Sequence, residues 1–88
     1  MFQVKYSDKA VKQLKKLDVS NRKLIINWIA KNLEGCENPR MKGKGLTADR
    51  SGEWRYRIGS YRMICDIRDS ELVILALSIG HRKDVYKK

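Results

Sequence analysis

Two hydrophobic periods alternate along this chain. Phe2 to Tyr6 reads as a short strand, and Ser7 or Asp8 can then cap a helix. Ala10, Val11, Leu14 and Leu17 fall on one side of that helix, and the lysines at 9, 12, 15 and 16 fall off it. Asp18 to Ser20 interrupts the pattern and offers a new cap. A second helix is expected from about Asn21 to Leu33, with Leu24, Ile25, Trp28, Ile29 and Leu33 inward and Gly35 as its stop. The short link between the two implies an antiparallel helical hairpin. Cys36 to Gly52 shows neither period and reads as a mobile basic loop, carrying Arg40, Lys42, Lys44 and Arg50.

From Glu53 the period becomes two, and three strands are expected over Glu53–Ile58, Tyr61–Arg68 and Glu71–Ile79. Gly59-Ser60 suits a hairpin turn with glycine first, which sets Arg57 opposite Arg62. Asp69-Ser70 is expected as the second tight turn, with Arg62 then opposite Leu77 and Cys65 opposite Ile74. Parity assigns Trp54, Tyr56, Ile58, Tyr61, Met63, Cys65, Ile67, Leu72, Ile74 and Ala76 to a face that receives the helices. The other face takes Arg55, Arg57, Arg62, Ile64, Val73, Leu75, Leu77 and His81. The last strand is apolar on both sides, so it belongs in the sheet centre or under partial cover. The expected architecture is α+β: an N-terminal strand and a helical hairpin packed on one face of a small antiparallel sheet, in a single domain spanning 1–88.

Charge sharpens this picture. In 88 residues, 20 Lys and Arg stand against 10 Asp and Glu, for a net charge of +10. Such a field draws polyanions without naming one: RNA, DNA and an acidic protein all fit. Cys36 and Cys65 have no metal-ligand spacing, and neither a signal peptide nor a membrane-length apolar run is present, so a cytoplasmic protein without metal or cofactor is expected. Like charges directly opposite each other destabilise a sheet, so the Arg57–Arg62 pair suggests an anion, most economically a nucleic-acid phosphate. His81 is the only histidine and the one side chain here suited to proton transfer near neutrality. A histidine at a strand end is more often a plain surface residue, and arginines on an open sheet face are commonly just solvated. With no metal site in view, a phosphodiester is most simply cut by the neighbouring ribose 2′-hydroxyl, which restricts the substrate to RNA.

The strings Trp54-Arg55-Tyr56-Arg57-Ile58-Gly59-Ser60-Tyr61-Arg62-Met63-Ile64 and Ile79-Gly80-His81-Arg82-Lys83-Asp84-Val85-Tyr86 resemble those of RelE-type toxins, in the RelE/ParE superfamily of toxin–antitoxin proteins. The layout of nearly the whole chain is similar too. The resemblance implies a type II toxin that cleaves mRNA in the ribosomal A site and stops translation. Its expected partners are the 70S ribosome with mRNA and a cognate antitoxin, in a hetero-oligomer. It places Arg55 and Arg57 beside the scissile phosphate; Lys42 and Lys44 are candidate RNA contacts on the charge of their loop alone, with a plain solvated linker as the equal alternative. Arg62 matches a residue that stabilises the transition state, Arg82 one that protonates the leaving group, and Tyr86 one that orients or stacks on mRNA. Some relatives have lysine where this chain has Arg55 and Arg57; arginine is a poor general base, which leaves His81 as a candidate acid or base. Other relatives poison DNA gyrase and cut nothing, and a ParE-like gyrase inhibitor is the alternative.

Overall fold

The structure, a computed structural model, describes residues 1–46 and 52–81. Its order is β1 (Gln3–Tyr6), α1 (Asp8–Lys16), α2 (Val19–Asn32), β2 (Lys44–Gly45), β3 (Glu53–Ile58), β4 (Tyr61–Arg68) and β5 (Val73–His81). The sheet runs β1-β5-β4-β3-β2. The α+β class with two helices on a sheet is as expected. The sheet is mixed, however, because β1 joins β5 in parallel, Gln3 against Val73 through Tyr6 against Ala76. β5 lies inside the sheet, as its two-sided apolarity required.

Caps start both helices. Ser7 Oγ accepts from Ala10 N at 3.1 Å, and Asp18 Oδ1 accepts from Asn21 N at 3.3 Å, so α2 begins two residues before the expected Asn21. Arg22 reaches back from α2 and donates to Leu14 O and Leu17 O at the C-terminal end of α1. Ala10, Leu14, Ile25, Ile29 and Leu33 are buried against Tyr56, Ile58, Met63, Cys65, Ile74, Ala76 and Ile79. Each large apolar side chain so enclosed contributes about 1.5–3 kcal/mol. Leu24 is not among them: it is 49 % exposed, because α2 turns Ile25 and Ile29 onto the sheet and leaves Leu24 at the margin. There its side chain lies over the β3–β4 turn, 3.6 Å from where a Cβ on Gly59 would sit.

The outer edge of β1 is closed. Phe2 N donates to Cys36 O, Gly35 N donates to Phe2 O, and Val4 N donates to Glu34 Oε1. An edge so covered offers no row of open amides to a foreign strand. Where β1 stops at Tyr6, α1 takes over its work: Ser7 Oγ donates to Leu77 O, and Gln13 Oε1 accepts from Ile79 N at 2.6 Å.

The β3–β4 register is as expected, Ile58 opposite Tyr61 and Arg57 opposite Arg62. Gly59 takes φ +59 and Ser60 does not share a positive φ, which is the glycine-first turn. The β4–β5 register is not as expected. Asp69–Glu71 forms a 3₁₀ turn that Leu72 closes in the left-handed region, so Arg68 pairs with Val73 and Cys65 with Ala76, not Ile74. A bulge then follows: Cys65 pairs with Ala76 but Ile64 with Ser78, leaving Leu77 unmatched. Arg62 therefore faces Gly80, not Leu77. Every β5 side chain beyond the bulge changes face relative to strict alternation.

Candidate nucleic-acid interface

That bulge decides which candidate residues meet. Arg57 and Arg62 do, as cross-strand partners. In a hairpin closed by a two-residue turn the flanking pair is hydrogen-bonded, so the next pair, Arg57–Arg62, is the non-bonded kind, with its side chains closest. Arg57 is exposed, whereas Arg62 is only 5 % exposed. A guanidinium held in low-dielectric surroundings acts more strongly on a nearby charge than one in water. The face they share is less open than expected, since Ile64, Val73 and Ser78 on it are buried too.

His81 does not join them. Its Cα partner is Tyr61, on the face of Ile58 and Met63, and its ring makes an edge-on contact with Tyr61 at 5.9 Å between centroids. The expectation that His81 shares a face with Arg57 and Arg62 is thus corrected. The cause is the extra residue at Leu77, which shifts parity by one. Arg82 and Tyr86 lie outside the described residues.

The loop residues gather at the opposite edge of the hairpin. Lys42, Gly43 and Lys44 join Arg55 and Arg57 of β3 and Trp28 of α2 around a cleft of about 300 Å³. That is the lower end of the ~300–1,000 Å³ typical of small-molecule sites. Lys42, Lys44, Arg55 and Arg57 therefore stand together around the cleft. Trp28 is a member that sequence reading assigned to the core. Its helical spacing fits the core, and the ring does lean on Tyr56 at 5.9 Å; only tertiary packing shows that it also walls the cleft.

Up to Gly45 the loop is tethered to the sheet. Tyr56 Oη donates to Pro39 O at 2.6 Å, and Trp54 Nε1 donates to Lys42 O at 2.7 Å. Lys44 and Gly45 pair with Arg55 and Trp54 as β2. Arg40, read as part of the basic loop, instead grips Asp69 through two 2.9 Å bonds and holds its carboxyl below the usual range. Gly43 is required where the loop crosses β3, because a Cβ there would come within 2.3 Å of Arg55 O and 2.7 Å of Trp54 Nε1. Asp66 pairs with Arg68 at the far end of the sheet. Among the described residues no three His, Cys, Asp or Glu side chains converge, and no helix is long and apolar enough to cross a membrane.

This arrangement sets cations along one sheet edge, where they can neutralise a polyanion. Comparison with known proteins agrees with the fold. A RelE-like protein of Escherichia coli is 30 % identical over 89 residues, covering 97 % of this chain and 90 % of that protein. Toxin RelG of Mycobacterium tuberculosis is 25 % identical over 87 residues, covering 99 % and 98 %. In the crystal structure of the RelBE2 toxin–antitoxin complex from M. tuberculosis, a chain 25 % identical superposes with a TM-score of 0.83, covering 92 % of this chain and 98 % of that one. The family model for the ParE toxin of the type II toxin–antitoxin system parDE matches residues 4–86. With a match of that extent, the chain belongs to the ParE toxin family of type II toxin–antitoxin systems, within the RelE/ParE superfamily.

Proposed function

We propose that this toxin is a ribosome-dependent endoribonuclease that cuts mRNA in the A site. The observation that carries the reading is the directly opposed pair Arg57 and Arg62, continued by the cationic cleft of Lys42, Lys44 and Arg55. Toxins named RelE-like and RelG among its relatives support it. In this reading the ribose 2′-oxygen gives up its proton to water as it attacks the adjacent phosphorus, and the bond to the 5′-oxygen breaks as that oxygen takes up a proton. The products are a 2′,3′-cyclic phosphate and a 5′-hydroxyl end. Two guanidinium groups offset the charge that grows on the phosphoryl oxygens. Arg57, at the surface, meets the phosphate first, and Arg62 acts from below. Arg82 donates the leaving-group proton and Tyr86 stacks on the message. The ribosome supplies orientation of the hydroxyl, which a small catalytic set cannot supply alone. An antitoxin with an acidic, amphipathic segment silences the toxin in the cytoplasm by covering the basic edge, as a hetero-oligomer.

The test is translation by purified 70S ribosomes on a defined message, with 5′ ends mapped. Arg62→Ala abolishes cutting while thermal unfolding stays cooperative. Cutting that survives Arg62→Ala removes the assignment. The ParE name of the family model favours one rival, inhibition of DNA gyrase without nuclease chemistry. Blocked supercoiling with an intact message decides for that rival.

A further inference from the structure

A groove that only grips phosphates needs cations and no ring, yet this one has Trp28 as a wall. We propose that the cleft between α2 and the β2–β3 edge seats a single unstacked nucleobase, with Trp28 as its stacking platform and Lys42, Lys44 and Arg57 on the phosphates beside it. The inference rests on the RNA-binding reading and deepens it. Three observations carry it. Trp28 is half-buried: its ring is tilted against Tyr56 at 5.9 Å between centroids, and the residue lines the cleft. Lys42, Lys44 and Arg57 are exposed, and none forms an ion pair with a described residue. The walls are also held from behind: Trp54 Nε1 grips Lys42 O, and Gly43 allows the loop to press on β3.

An aromatic ring beside a cationic track is the usual means of holding single-stranded nucleic acid, because every base has a π-face. Indole supplies no base-edge reading, so the seat grades bases by stacking strength and favours purines. Once a base has left the stack, its backbone is free to bend, which in-line attack by a 2′-hydroxyl demands.

The experiment is a titration of ¹⁵N-labelled protein followed by its two indole N–H signals, Trp28 assigned by its loss in Trp28→Leu. The probes are AMP, UMP, ribose 5-phosphate and inorganic phosphate. AMP shifts the Trp28 signal more strongly than UMP does, and the two base-free probes leave it in place. Trp28→Leu weakens AMP binding roughly tenfold, whereas Trp28→Phe, which keeps a ring and the contact with Tyr56, changes it far less. A Trp28 signal unmoved by AMP, or equal affinity for AMP and ribose 5-phosphate, overturns the proposal. The two readings fail separately. Nucleotide-dependent shifts without cutting on ribosomes sink only the nuclease; cutting with an unmoved Trp28 sinks only the base seat.

Discussion

Replacing Tyr56 by Phe removes a single oxygen from the middle of the structure and unlatches the loop that carries Lys42 and Lys44. The Tyr56 ring has no exposed surface, and its hydroxyl donates to Pro39 O at 2.6 Å. Pro39 is itself buried, so deletion of the donor leaves a carbonyl without a protein partner in a place water enters poorly. Losing one partner of such a buried bond costs about 1–3 kcal/mol, more than the ~1 kcal/mol net worth of an average hydrogen bond. The apolar contacts with Trp28 survive, because the ring remains. For a domain of this size each kcal/mol moves the thermal midpoint by roughly 4–8 °C. With a urea m-value near 1–3 kcal/mol/M, the urea midpoint falls by on the order of 1 M. The assay is urea unfolding followed by tryptophan fluorescence, with the m-value held common. Trp54→Phe serves as the companion, since it removes the second tether, from Trp54 Nε1 to Lys42 O. If both tethers position one loop, either variant also weakens binding of a short single-stranded RNA. Tyr56→Phe as stable as the parent, or destabilised with RNA affinity unchanged, refutes the idea that a buried hydroxyl holds the cationic cleft together.

Other outcomes follow from the same structure. His81→Gln keeps cutting on ribosomes within about tenfold, because its ring turns toward Tyr61 and away from Arg57 and Arg62; a loss of ~10²–10⁴, the size of a general acid–base contribution, restores it to the chemistry. Burial pushes the Cys65 thiol and the Tyr56 hydroxyl above their ordinary values of 9.0 and 10.0. The unfolded chain therefore loses these protons first. Stability is fully present below pH 9 and falls as pH rises beyond it, by up to ~1.4 kcal/mol per pH unit for each group. In Cys65→Ala that alkaline slope is shallower in urea titrations between pH 8 and 11, and an unchanged slope discards the assignment. Gln13→Ala strips the acceptor from Ile79 N–H at 2.6 Å and costs about 1–3 kcal/mol, measured by urea unfolding; Gln13→Glu retains most of that stability.

What this chain's sequence determined by itself is local. The Ser7 and Asp18 caps, the stripe of Ile25, Ile29 and Leu33, and the glycine-first turn at Gly59 each depend on neighbours a few residues away. From that turn alone Arg57 faces Arg62, and the cationic candidates Lys42, Lys44 and Arg55 are visible as a basic run and an alternating strand. The tertiary structure decided three further matters. Helix α2 rotated so that Leu24 left the core and Trp28 reached the cleft. Tyr56 and Trp54 fastened a loop whose composition suggested mobility. The extra residue at Leu77 carried His81 to the other side of the sheet. A bulge has no composition of its own: it forms where β5 must satisfy Met63 and Cys65 on one flank and Ser7 and Gln13 on the other, and those partners are distant in the chain. Since side chains alternate with a period of two, a single such residue inverts every facing assignment downstream of it.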